Sequence, residues 1–192
     1  MAEQHSSLMR RSIRRGLAAS GLTAAALYTW WQTIEGARTV TVLPEAQVGA
    51  PLALGRVKLT PQSLQLRSVT ARSGEEEQVL VLSAEVENVT GETQAAPFGH
   101  PPRLIRAQAG EVDFGTPELM LLRDREPMPE LQPRMPETME IVWSAPQGWQ
   151  PQDVTLTFLR QQFKLKDNLY GRSNWLGYSD AAQMTVRPEL AP

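Results

Sequence analysis

The side chains able to do chemistry are few. The sequence holds two histidines, His5 and His100, and no cysteine. His100 stands between Gly99 and Pro101, where a lone imidazole reads as solvated rather than catalytic. Gly171-Arg172-Ser173-Asn174-Trp175 opens like a nucleophile elbow but lacks the second glycine. No phosphate-cradling loop or dinucleotide fingerprint is present. Without a thiol, neither thiol catalysis nor Cys-based zinc is available. Asp167, Asn168, Asn174 and Asp180 put oxygen ligands in one region, the type calcium takes, but their spacing does not fit an EF-hand loop. The expectation is a protein that is not an enzyme, with no catalytic residue, no metal and no cofactor.

Binding chemistry is better represented. Residues 167–181 carry Tyr170, Arg172, Trp175 and Tyr178, residue types enriched where binding energy concentrates. Two readings are open for this loop of about fifteen residues, long for a hairpin. Its rings cap the core, or they form a surface for a partner or ligand. Pro133-Arg134-Met135-Pro136 matches P-x-x-P, though it leads straight into a strand and reads as a structural loop. Asn88-Val89-Thr90 has the form of a glycosylation sequon and reads as a turn.

The elements that must hold these residues are strands. Between Gln78 and Val89, Leu80, Leu82, Ala84 and Val86 share one parity, the period of a half-buried strand. Upstream, Val57 and Leu59 share one parity and Leu64 and Leu66 the other. The flip falls at Pro61, which predicts a kink or bulge in a strand that is free to switch sheets. Short strands are expected at Arg103–Ala107 and Glu111–Phe114, and Glu118–Arg125 reads as strand or helical turn. The run 126–137, with four prolines, must be an extended loop. Thr138–Ser144, Val154–Arg160 and Ala182–Arg187 alternate again, and a shift at Gln161-Gln162 predicts a bulge. Fifteen Pro and thirteen Gly in 192 residues cut the chain into short pieces. An all-β sandwich of seven to nine strands follows. With no disulfide available, packing alone must hold it.

The N-terminus has a different character. Arg10, Arg11, Arg14 and Arg15 precede an uncharged stretch, 16–34, that ends near Trp30 and Trp31. Arginines at one end and tryptophans at the other suit the two faces of a bilayer. The expected plan is a basic cytoplasmic tail over 1–15, a transmembrane anchor helix over 16–34, a linker over 35–52 and a sandwich ectodomain over 53–192. Localisation would then be the cell (inner) membrane, with the N-terminus cytoplasmic and the ectodomain periplasmic or extracellular. Two alternatives remain, a cleaved signal peptide using Ala24-Ala25-Ala26 and a buried soluble helix. Arg14-Arg15-Gly16-Leu17 also has a faint twin-arginine look. Gly16, Ser20 and Ala24 lie four apart, the spacing that lets helices approach closely. The four arginines are part of 19 Lys and Arg against 21 Asp and Glu, so the rest of the chain is mildly acidic, which argues against nucleic acid as a partner.

Three stretches carry a resemblance: VGAPLALGRVKLTPQSLQL, VLVLSAEVENVTGET and LQPRMPETMEIVWSAP. The chain resembles the immunoglobulin-like domains of bacterial single-pass membrane proteins and lipoproteins of unknown function. The paired cysteines of true immunoglobulin domains are missing. The resemblance implies the fold and an accessory or binding role, and carries no catalytic residue. The leading expectation is an accessory subunit of a membrane complex, whose partners are the lipid bilayer and an integral membrane protein. The other is an extracytoplasmic module that binds cell-wall glycan or a small molecule through the 167–181 loop.

Overall fold

The structure is a computed structural model that describes residues 25–35, 42–70, 74–123, 125, 127, 130–166, 171 and 173–191. The chain divides into two units, Met1–Val42 and Leu43–Pro192.

In the first unit a helix, α1, spans residues 25–35. Eleven helical residues reach only about 17 Å, roughly half of a bilayer's hydrocarbon core. No helix among the described residues is long and apolar enough to cross a membrane. The expected transmembrane helix is therefore corrected to this short element. Its composition explains the result. The Thr29 hydroxyl donates to the Ala25 and Ala26 carbonyls, that of Thr33 donates to the Thr29 carbonyl, and Gln32 Nε2 donates to the Tyr28 hydroxyl. Polar side chains recur on every turn where a spanning helix needs large apolar ones. Trp30 and Trp31 lie on α1 and are exposed. Arg10, Arg11, Arg14, Arg15, Gly16, Ser20 and Ala24 fall outside the described residues.

The second unit is a two-sheet β-sandwich. Its strands are β1 (Leu52–Ala53), β2 (Val57–Thr70), β3 (Glu76–Asn88), β4 (Ile105–Ala109), β5 (Val112–Asp113), β6 (Glu118–Leu121), β7 (Pro136–Ser144), β8 (Val154–Lys164), β9 (Asn174–Val186) and β10 (Glu189–Leu190). One sheet runs β1-β2-β3-β7-β6, with β10 also on β2; the other runs β5-β4-β8-β9. Every named pairing is antiparallel except β10 with β2. Among the described residues ten strands stand where seven to nine were expected; β1 and β10, two residues each at the sheet margins, carry no periodicity to read, while β5 lies within the expected Glu111–Phe114.

The alternation sets the core. Leu80, Leu82, Ala84 and Val86 on β3 are fully buried, as are Met139, Ile141 and Trp143 on β7 and Val154, Leu156 and Phe158 on β8. These inner faces form one apolar cluster between the sheets. On β2 the register slips between Pro61 and Ser63 while pairing with β3 continues from Val57 to Thr70. The parity flip is thus a bulge inside one sheet, and the strand does not switch sheets. The bulge lets Pro61, which has no N–H, stay in the strand while keeping both leucine pairs inward. The sandwich unit begins at Leu43: Ala46 is buried, and its N–H donates to the Gln183 carbonyl on β9.

Candidate functional site

At one end of the sandwich three segments meet: the β1–β2 turn, the loop after β3, and the far end of the β8–β9 hairpin. The β8–β9 hairpin carries the aromatic residues. Its register pairs Phe163 with Trp175 and Gln161 with Tyr178, leaving Gly177 as an extra residue on β9. Gly177 has a φ of 69°, the left-handed conformation that suits the first position of a glycine bulge. Trp175 and Tyr178 are three apart and would point to opposite faces of a regular strand. The bulge puts them on the same face. The Phe163 and Trp175 rings lie 5.1 Å apart, inclined at 57°. Phe163 is half exposed, unusual for a phenylalanine in a strand.

Facing this aromatic pair is the turn Leu54-Gly55-Arg56-Val57. Gly55 has a φ of 92°, and a Cβ there would stand 2.7 Å from the Gln161 carbonyl oxygen and 3.1 Å from the Trp175 ring. Only glycine lets the turn lie this close to β8. The approach is sealed by the Gln161 N–H donating to the Leu54 carbonyl at 3.2 Å.

Arg56 then enters a polar network. Its Nε donates to Gln161 Oε1 (2.7 Å), Nη1 to Gln94 Oε1 (2.9 Å) and Nη2 to the Ala96 carbonyl (3.2 Å). Gln161 is buried and uses its Nε2 to donate to the Tyr178 hydroxyl at 2.9 Å. Gln94 is held from its other side, Nε2 donating to Thr90 Oγ1 at 3.0 Å. Burial lowers the Arg56 guanidinium below its ordinary pKa, with Tyr178 acting in the opposite direction. It keeps its proton at any physiological pH.

Asn88 fixes the loop. Fully buried, it donates to the Glu92 and Leu131 carbonyls and accepts from the Thr90 N–H and hydroxyl. All four hydrogen-bonding positions of its amide are used, which matches the reading of Asn88-Val89-Thr90 as a turn. Pro133-Arg134-Met135-Pro136 is tied to the same residue, since the Arg134 N–H donates to the Asn88 carbonyl. Pro136 already begins β7.

Between the aromatic pair and the loop lies an open cleft of about 790 Å³, walled by Phe163, Trp175, Arg56, Glu92 and Gln94. The expected 167–181 loop is thereby divided. From Asn174 onward it is strand β9. Trp175 lines the cleft, while Tyr178 folds inward beside Gly99, where a Cβ would meet the phenolic oxygen at 2.5 Å. Tyr178 thus packs against the core, and Trp175 stands at the wall of the cleft. Tyr170 and Arg172 lie outside the described residues, as do Asp167 and Asn168. The remaining oxygen ligands are already engaged: Asn174 Oδ1 accepts from the Trp175 N–H, and Asp180 pairs with Arg106 at 2.6 Å. Among the described residues no group of His, Cys, Asp and Glu is placed to hold a metal. His100 is exposed.

Arg56, Gln94, Gln161 and Phe163 were not singled out from sequence. Two signals pointed near them, the Gly55-Arg56 pair inside a strand-like run and the glutamine pair at the predicted bulge.

No protein-family model matches the chain, and no curated protein matches it at a significant level. Among solved structures it is similar to an uncharacterized β-sandwich protein from Clostridium difficile 630. The TM-score is 0.51 and the identity 10%, over 78% of this chain and 97% of that one. The protein is a β-sandwich protein; that likeness concerns the fold alone.

Proposed function

We propose that the protein is a non-catalytic, extracytoplasmic binding module that takes a carbohydrate or a small ring-bearing molecule in the Trp175 cleft. One observation carries the reading: an aromatic pair, Phe163 half exposed and Trp175 partly buried, faces a guanidinium and a carboxamide that neighbouring hydrogen bonds already hold in place. Binding sites for small molecules combine apolar or aromatic walls with a few fixed polar groups, in volumes of about 300–1,000 Å³. The cleft falls in that range of volume, and its open, mixed wall sets Phe163, Trp175 and Val89 beside Arg56, Thr90, Glu92 and Gln94. A subunit assembled through a membrane helix is not carried forward, because no helix among the described residues is long and apolar enough to cross a membrane.

The sandwich is read as immunoglobulin-type. Equating β2, β3, β7 and β6 with strands A, B, E and D, and β4, β8 and β9 with C, F and G, reproduces the order of the two immunoglobulin sheets and supports that assignment. The cleft then lies where the F–G hairpin end meets the start of strand A.

The test is titration calorimetry of the full-length protein with neutral and acidic oligosaccharides, repeated on Trp175→Ala. Saturable binding is expected, weakened at least tenfold by the substitution with an unchanged melting curve. Binding indifferent to both Trp175→Ala and Phe163→Ala, or no binding across the panel, overturns the proposal.

A further inference from the structure

We infer that the cleft selects a ligand bearing a carboxylate, namely a hexuronic acid unit of an acidic glycan, with Arg56 as the residue that receives it. This inference rests on the carbohydrate-binding reading above and narrows it to a ligand class.

Lys58, Arg67, Arg106 and Arg123 each face a carboxylate, on Glu87, Glu140, Asp180 and Glu137 respectively. Arg56 is held differently. Its three partners, Gln161, Gln94 and the Ala96 carbonyl, are all neutral. A guanidinium partly withdrawn from water gains most from an ionised acceptor, and hydrogen bonds to such a group are about twice as strong as neutral ones. Neutral acceptors orient the cation and leave its charge uncompensated.

Donor capacity supports the same conclusion. A guanidinium has five N–H groups. Three are used, leaving one on each terminal nitrogen. A carboxylate takes one hydrogen bond on each of its two oxygens, the paired geometry that arginine favours. Because Gln94 and Gln161 are fixed by Thr90 and Tyr178, the fork is set before a ligand arrives. Little ordering cost then falls on binding.

The rest of the cleft defines what carries the carboxylate. Trp175 and Phe163 offer an aromatic face to the flat, C–H-rich side of a ring. Glu92 and Ser173 stand on the wall with oxygen atoms suited to hydroxyl groups, and Asn174 adds its amide N–H₂. A polyhydroxylated ring with one carboxylate satisfies all three. A neutral sugar leaves Arg56 without its counter-charge. An aryl carboxylate leaves the hydroxyl-binding rim unused. The Glu92 carboxylate on the same wall repels any anion, and a doubly charged phosphate more than a singly charged carboxylate.

The test is calorimetry on the full-length protein with a hexuronate trimer, its methyl ester and the corresponding neutral hexose trimer. The acid is expected to bind at least tenfold more tightly than the other two, and its advantage to shrink as NaCl rises from about 0.05 to 0.5 M. Arg56→Met should remove the preference. That substitution strips Gln94 and Gln161 of a donor, so the ester comparison on the unaltered protein decides the matter if the variant does not fold. Equal affinity for all three ligands, dependent on Trp175, overturns the inference and leaves the binding-module reading standing. No binding by any of them overturns both.

Discussion

Gly55→Ala isolates the contact that brings the β1–β2 turn against β8, and Gly49→Ala is its natural control. Both glycines have left-handed backbones, with φ of 92° and 80°. A Cβ at Gly49 meets nothing within 4 Å, whereas one at Gly55 stands 2.7 Å from the backbone oxygen of Gln161. The shared backbone term costs about 1–2 kcal/mol for a residue with a Cβ. Loss of unfolded-state freedom returns about 0.4–1 kcal/mol in each variant. Gly49→Ala should therefore cost about 0.5–1 kcal/mol. Gly55→Ala adds a clash with strand backbone, which has no rotamer to escape into, and overpacking of this kind costs about 1–3 kcal/mol. Its total is about 2–4 kcal/mol. For a domain of this size each kcal/mol lowers the melting temperature by about 2–4 °C. Circular dichroism melts of the full-length protein should then show a drop of roughly 5–15 °C for Gly55→Ala and of a few degrees for Gly49→Ala. The Trp175 environment should shift in the first variant alone, because its ring is the second neighbour of the new methyl. Equal melting temperatures in the two variants would refute the claim that close approach, and not backbone conformation alone, demands glycine at position 55.

The polar network makes two further predictions. Asn88→Ala removes the donors to the Leu131 and Glu92 carbonyls together with the acceptor of Thr90, and should cost roughly 1–3 kcal/mol in urea unfolding, since several buried hydrogen bonds of about 0.5–1.5 kcal/mol each are lost while the Leu131 carbonyl keeps the Gln94 N–H. Asn88→Asp should not rescue it, because a carboxylate cannot donate to those carbonyls. Tyr178→Phe leaves Gln161 Nε2 without its acceptor and should cost about 1–2 kcal/mol. Arg56 loses nothing directly in that variant, so glycan affinity measured by calorimetry should fall less than in Trp175→Ala.

Which features were legible in the sequence follows from which interactions are local. The alternation of Leu80, Leu82, Ala84 and Val86 encodes burial one residue at a time, and the strand appeared where the pattern lies. Pro61 and the glutamine pair encode interruptions of a ladder, and register shifts occur at both. A further shift at Phe158–Leu159, with Ala181 left over on β9, escaped notice because nothing in those residue types announces it. The N-terminal stretch misled for the opposite reason. Arginines before it and tryptophans at its end match a bilayer's two faces, but those flanks do not supply the large apolar residues that a spanning helix requires, and α1 carries two threonines and a glutamine instead.

The cleft was half legible. Trp175 stood out by its type, and its partners did not, because the hydrogen bond from Arg56 to Gln161 joins residues 105 apart and that to Gln94 joins residues 38 apart. Sequence gives no weight to a glutamine in a strand until its burial is known. Here the buried glutamine is what couples the two sheets. Gln161 receives the guanidinium from one, gives its N–H₂ group to Tyr178 on the other, and through its backbone N–H ties β8 to the turn that presents Arg56. The same few atoms thus close one end of the sandwich and aim a cation into the cleft. A buried amide whose oxygen and nitrogen each have a partner leaves neither atom orphaned and holds its partners in one arrangement. The orientation of Arg56 is therefore a consequence of how the sandwich is closed.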